Sequence, residues 1–149
     1  MKEEYFDLAF KEAEIAYKEN EVPVGAVIVK DGKIISFAHN MKEKNNCCLY
    51  HAEIIAIKEA SKVLNNWRLD DCDIYITLDP CPMCASAIRQ ARIRNVYSAL
   101  NNSDSINTNI LNDIFLTNSI NPTVNFSTNL NEFRAKNLLA SFFKKQRNL

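Results

Sequence analysis

From residue 3 to 19, apolar positions recur at spacings of three and four. Phe6, Ala9, Phe10, Ala13, Ala16 and Tyr17 alternate with charged residues, a pattern that predicts an amphipathic helix. Proline disfavours helix in the residue before it, so this helix ends ahead of Glu21-Val22-Pro23. The period then changes. Val24 to Lys30 is an apolar, β-branched run, followed by Asp31-Gly32 and by Lys33 to Ala38, the pattern of a tight antiparallel hairpin. The Ala, Glu, Lys and Ile content of residues 51–64 predicts a helix, with Ile54, Ile57, Ala60 and Leu64 as the stripe that packs on the sheet. A strand over 73–78, a helix entered at Pro82 and running to about Arg92, and a strand over 95–100 form a unit expected to be a right-handed parallel crossover.

Beyond residue 100 the pattern weakens. Residues 101–131 hold ten asparagines, whose short amides compete with backbone hydrogen bonds and favour turns and caps. A short helix near 110–116 and a strand near 122–126 are expected there. From Leu130 onward, Leu130, Phe133, Leu138, Leu139, Phe142 and Phe143 predict a final helix with lysines in its last turns, where they suit the helix dipole. The order of elements predicts an α/β architecture, a sheet with helices on its faces.

The chain has 149 residues, 47% of them hydrophobic, enough for one core and one domain spanning 1–149. No apolar run reaches membrane-spanning length and the start, Met1-Lys2-Glu3-Glu4, does not read as an export signal. A soluble, cytoplasmic protein with no membrane partner is expected. Lys+Arg and Asp+Glu both number 18, but the charges are segregated. Residues 2–21 hold three lysines against seven acids, whereas 133–149 hold Arg134, Lys136, Lys144, Lys145 and Arg147 with no acid. Arg89, Arg92 and Arg94 form a second basic group mid-chain. Placed on one face, these groups make a positive stripe suited to a phosphate backbone; solvated helix faces account for them equally well.

Five cysteines, an odd number in a chain without an export signal, point to metal binding or catalysis before disulfides. His51-Ala52-Glu53 stands thirty positions ahead of Pro80-Cys81-Pro82-Met83-Cys84. Cys81 and Cys84 lie at a helix start, where two thiolates three positions apart reach one ion and the helix N-terminus favours their charge. A His, Cys, Cys set matches zinc. A closed structural site needs a fourth ligand, for which His39, Cys47, Cys48 and Cys72 are the candidates. An open site admits water, whose pKa zinc lowers to about 7. Glu53, two residues after the histidine, is placed as a proton carrier rather than a ligand.

With Glu21-Val22-Pro23-Val24-Gly25-Ala26-Val27, Asn40, Thr77-Leu78-Asp79-Pro80-Cys81 leading into Met83-Cys84-Ala85, and the closing Phe142-Phe143-Lys144-Lys145-X-Arg147, the sequence resembles the bacterial tRNA-specific adenosine deaminases. The resemblance implies a three-layer α/β/α, cytidine-deaminase-like fold with a mixed five-stranded sheet. It also implies hydrolysis of adenosine to inosine at the wobble position of a tRNA anticodon stem-loop, with one zinc per subunit of a homodimer. By the same resemblance His51, Cys81 and Cys84 would hold the metal and Glu53 would be catalytic. Asn40 would hydrogen-bond the nucleoside, and Val24 and Ala52 would line its pocket. Phe142, Phe143, Lys144, Lys145 and Arg147 would meet the RNA, and Arg89 and Arg92 would serve the subunit interface or RNA across it. For the phenylalanines, packing of an amphipathic helix competes with that role, and His39 reads as a surface or satisfied histidine.

The resemblance lapses at Ser98-Ala99-Leu100-Asn101-Asn102-Ser103-Asp104-Ser105, where the family carries glycines and a lysine and where Asn101 replaces an aspartate. It lapses again at Cys47-Cys48-Leu49-Tyr50, in place of an Asp-Pro-Thr lead-in. Two other readings remain: a small-molecule deaminase of the same fold acting on free guanine, cytosine or a nucleoside, and a non-catalytic RNA-binding partner subunit that keeps zinc for folding.

Overall fold

In the computed structural model, the backbone is described for residues 1–102 and 105–148, and the side chains for the same residues except 105 and 106. The elements run α1 (Glu3–Lys18), β1 (Gly25–Lys30), β2 (Lys33–His39), α2 (Ala52–Leu64), β3 (Cys72–Ile76), α3 (Pro82–Gln90), β4 (Asn95–Ser98), α4 (Ser105–Leu116), β5 (Asn125–Ser127) and α5 (Glu132–Arg147). The strands form one mixed sheet in the order β2-β1-β3-β4-β5. β1 is antiparallel to both β2 and β3, while β3, β4 and β5 run parallel. The hairpin turns through Asp31 and Gly32, both at positive φ (51° and 76°), the backbone that a two-residue turn between twisted strands requires.

Alternation along the strands builds two cores. Ala26, Ile28, Ile74, Ile76 and Val96 face α2, α3 and α4, where they meet Ala56, Ala60, Ile88, Leu111 and Phe115. Val27, Val29, Tyr75 and Tyr97 face α1 and α5, against Phe6, Ala9, Phe10, Ala135 and Leu138. The result is the three-layer α/β/α arrangement with helices on both faces of a five-stranded sheet. Gly25 lets α1 lie directly on β1: a Cβ there would fall 1.9 Å from the carbonyl oxygen of Ala9.

Three expectations need correction. The sheet-facing stripe of α2 is Ala52, Ala56 and Ala60, one residue per turn at spacing four, and Ile54 is not part of it. Small residues let the helix axis approach the sheet, and Ile57 and Leu64 close the flanks. The Asn-rich stretch holds a longer helix than its composition suggests, because Leu111 and Phe115 are fully buried and tertiary packing overrides weak propensity. Arg89 does not join a basic face. It is buried, and its guanidinium donates to the carbonyls of Ile114, Thr117 and Asn121, closing the end of α4. Arg94 pairs with Asp71 and Asp73, and Arg92 lies 5.3 Å over the ring of Trp67, so the mid-chain arginines serve three separate ends. Among the described residues no helix is long and apolar enough to cross a membrane.

Candidate metal centre and active site

His51 and Cys81 occupy equivalent positions, each the N-cap of a helix with extended backbone angles (φ −77°, ψ 151° and φ −72°, ψ 168°). An N-cap projects its side chain past the helix end, so α2 and α3, packed side by side, aim both groups at one point. Cys84, one turn into α3, completes the set. Nδ1 of His51 lies 3.7 Å from Sγ of Cys81 and 3.5 Å from Sγ of Cys84. An ion about 2.3 Å from sulfur and about 2.0 Å from nitrogen at a tetrahedral angle holds the two atoms about 3.5 Å apart, so the donors stand at zinc spacing. Among the described residues this is the single cluster of histidine, cysteine and acidic side chains close enough to hold a metal ion, and His39, Cys47, Cys48 and Cys72 lie outside it. The triad thus has three ligands and no fourth from the described chain, the composition of an open site rather than a closed one.

The electrostatics fit a cation. The Cys81 thiol is drawn down to about 5, first by the Cys84 S–H that donates to it and then, against burial, by the helix-end N–H groups of Cys84 and Met83 and by His51. Cys84 is pushed in the opposite direction by its bond to Cys81 and by burial. Two adjacent sulfurs repel a second negative charge unless a metal ion neutralises it. Glu53, on the first turn of α2, is buried beside them, and burial lifts its carboxyl to about 7. It stands beside the two sulfurs without entering the triad.

His51, Glu53 and Cys81 floor a cavity of about 670 Å³ walled by Val24, Asn40, Leu78, Asp79, Asn102 and Phe142. Asn40 is fixed at both ends of its amide: Oδ1 accepts from the N–H of Ala52 at 2.8 Å and Nδ2 donates to the Val22 carbonyl at 3.0 Å. It therefore ties the end of the hairpin to the first turn of α2. Val24 sits in the wall, and Ala52 is buried beneath it, facing the core. Glu21, buried, accepts from the N–H groups of Glu43 and Lys44 at 2.9 and 2.8 Å and holds the 41–46 turn at the cavity rim.

The two phenylalanines divide. Phe142 is 4% exposed and packs edge-on against Tyr17. Phe143 is 47% exposed and borders a neighbouring hollow with Lys136. Lys145 lies 5.1 Å over the Tyr17 ring and 3.4 Å from Asn20 Oδ1, while Lys144 and Arg147 are exposed on the last turns of α5. His39 is satisfied by Glu12 and Glu19 at 3.0 and 3.2 Å. In the stretch that departs from the resemblance, the Asn101 N–H donates to Asn129 Oδ1 at 2.8 Å; Ser103 and Asp104 lie outside the described residues. Glu21, Leu78, Asp79 and Gln146 also line the cavity and had no role assigned from sequence. An acid beside Val-Pro or Pro-Cys carries no periodic signal; only long-range partners reveal its function.

The MafB19-like deaminase family model matches residues 1–147. A tRNA-specific adenosine deaminase of Aquifex aeolicus is 41% identical over 99% of this chain and 97% of its own length. A structure from a study of A-to-I editing by tRNA:A34 deaminases at the wobble position superposes with TM-score 0.82 and 32% identity, covering 93% of this chain and all of that one. A guanine deaminase from Bacillus subtilis is 33% identical with TM-score 0.67, covering all of this chain and 96% of that one.

Proposed function

This chain belongs to the MafB19-like deaminase family and to its tRNA-specific adenosine deaminases, and from that membership we propose that it hydrolyses adenosine to inosine at the wobble position of a tRNA anticodon. One observation carries the chemistry: a His51, Cys81, Cys84 donor set at zinc spacing with a buried, non-ligating Glu53 beside it on a cavity floor. When bound, zinc acts as a Lewis acid that makes water a competent nucleophile at neutral pH. The chain's own residues do the rest. Glu53 takes one proton from the attacking water and gives it to the purine ring nitrogen, which keeps it in inosine, and then passes the second, from the hydroxyl newly added at C6, to the amine that leaves as ammonia, the part a non-ligating glutamate plays in zinc deaminases generally. Its burial supports the role, because a carboxyl that gains and loses a proton near pH 7 works both as base and as acid.

Asn40 is held so that one amide hydrogen is used by Val22 and the second is available to a nucleoside above Val24. The RNA contacts are assigned to Phe143, Lys144, Lys145 and Arg147 around the mouth, with Phe142 in the wall. Exposed aromatic and basic groups suit unstacked bases and their phosphates. Ala52 supports the pocket from below through its bond to Asn40. The proposal includes one zinc per subunit and a single catalytic domain over 1–149, both in keeping with the family match along residues 1–147, and also a homodimer and a cytoplasmic setting.

A free-base deaminase is the rival that the guanine deaminase likeness keeps in view; a carboxylate beside the triad argues against a non-catalytic subunit. The test is inosine formation in an anticodon stem-loop RNA alongside free guanine, cytosine and adenosine. Conversion of the RNA adenosine is expected, and turnover of guanine without turnover of RNA would overturn the assignment.

A further inference from the structure

Three loops leave the carboxyl ends of the parallel strands β3, β4 and β5, and one buried carboxylate joins them. Asp79, 5% exposed, accepts the hydroxyl of Thr128 on Oδ1 at 2.6 Å and the N–H of Asn102 on Oδ2 at 3.3 Å. Its own N–H donates to the Leu100 carbonyl at 2.9 Å. Around it the loops after β4 and β5 are laced together: Asn101 N–H to Asn129 Oδ1, Leu130 N–H to the Ser98 carbonyl at 3.1 Å, and Asn131 N–H to the Ala99 carbonyl at 3.0 Å. Asp79 stands two residues before Cys81, and Thr128 stands four before the start of α5. The side chain lies in the cavity wall next to Leu78 and Asn102.

We infer that Asp79 is a positioning residue for the RNA substrate: through Thr128 and Asn102 it fixes the loops after β4 and β5, and with them α5, at a set distance from the cavity floor that carries Cys81. A carboxylate offers about four acceptor sites and pins several donors at once, and a short, partly buried bond from a hydroxyl to a carboxylate is among the stronger hydrogen bonds. The backbone of the loop after β4 is held at Asn101 and Asn102 by side-chain acceptors, Asn129 and Asp79. Asp79 touches no metal-ligand side chain among its hydrogen-bond partners, so its effect falls on how the substrate seats and not on the donor set.

The inference rests on the RNA-deaminase reading, and Thr128 tests it. Thr128→Val keeps the shape and removes the donor; Thr128→Ser restores it. On an anticodon stem-loop, Thr128→Val is expected to raise KM about tenfold or more with kcat within about twofold. Zinc content should be unchanged, the thermal midpoint should fall by only a few degrees, and Thr128→Ser should recover the wild-type KM. Asp79→Asn, which keeps an acceptor for Thr128 but turns a donor toward Asn102, should shift KM in the same direction and remains the readout if Thr128→Val folds poorly. A wild-type KM in both Thr128→Val and Asp79→Asn, loss of zinc on their substitution, or a serine variant as impaired as valine overturns the inference while the activity assignment of the wild-type chain stands. A wild-type chain that converts no RNA adenosine overturns the activity assignment and this inference with it.

Discussion

Replacing Glu53 with glutamine keeps the side-chain volume and removes only the titratable proton, so it separates what the carboxyl does for chemistry from what its burial does to the fold. Burial raises the carboxyl from its ordinary 4.5 to about 7. The folded value is the higher one. The associated stability is therefore fully present below about pH 4.5 and is lost as pH climbs toward 7, where the unfolded chain is ionised and the folded one is half protonated. Integrating over that window gives a penalty on the order of 3 kcal/mol in the metal-free protein at neutral pH. The glutamine variant has no such penalty. Stripped of metal, it should resist urea better than wild type at about pH 7.5 by roughly that amount, and the two should converge near about pH 4.5. Reconstituted with zinc, the variant should keep its metal and lose activity about a hundred- to ten-thousand-fold, the range a general acid–base contributes. The paired measurements are urea unfolding at the two pH values and inosine release from the stem-loop. Wild-type turnover by the variant would remove Glu53 from the proton path. Equal urea midpoints at both pH values would refute the claim that its burial strains the fold.

Gly25→Ala should destabilise the protein by about 3 kcal/mol or more in chemical denaturation, because the new methyl meets the Ala9 carbonyl and the Ala13 nitrogen, backbone atoms that move only with all of α1; an unchanged midpoint would show that α1 sits farther from the sheet. Thiol labelling of the native protein at about pH 8 should modify exposed Cys48 quickly and spare Cys72, which is buried and held up to about 11; rapid labelling of Cys72 would contradict its place in the core. Removing residues 140–149 takes away Phe142, Phe143 and the basic last turns of α5, and should weaken stem-loop affinity and flatten its salt dependence while leaving zinc content unchanged; salt-independent binding by the intact chain would refute phosphate contacts there.

Much of the site was legible as text because its chemistry is local. An N-cap histidine with a glutamate two residues on, and two cysteines one helical turn apart behind a proline, each fix a geometry within one turn of backbone. Period and turn residues likewise placed all ten elements near their observed positions, since alternation and three-to-four spacing are properties of short segments. The failures are those where a short segment is ambiguous. Asparagine content argued against helix at the start of α4, and only burial of Leu111 and Phe115 against the sheet reverses that preference. Ile54 outranks Ala56 on any hydrophobic scale, yet the close approach of α2 to the sheet selects the alanine.

What the sequence alone determined, then, is the His, Cys, Cys triad, the glutamate that stands beside it and the layered architecture, because residue type and spacing decide them before the chain has folded. Only the tertiary structure decided that His51 Nδ1 and two sulfurs converge within zinc distance, that Phe142 turns inward while Phe143 stays out, and that Arg89 serves carbonyls instead of phosphates. It also decided that Asp79 binds together loops far apart in sequence. The physical reason is the same in each case: a side chain's partners across the fold are set by which helix face meets which strand and by which buried polar atoms must find a hydrogen bond. No local pattern along the chain encodes that pairing.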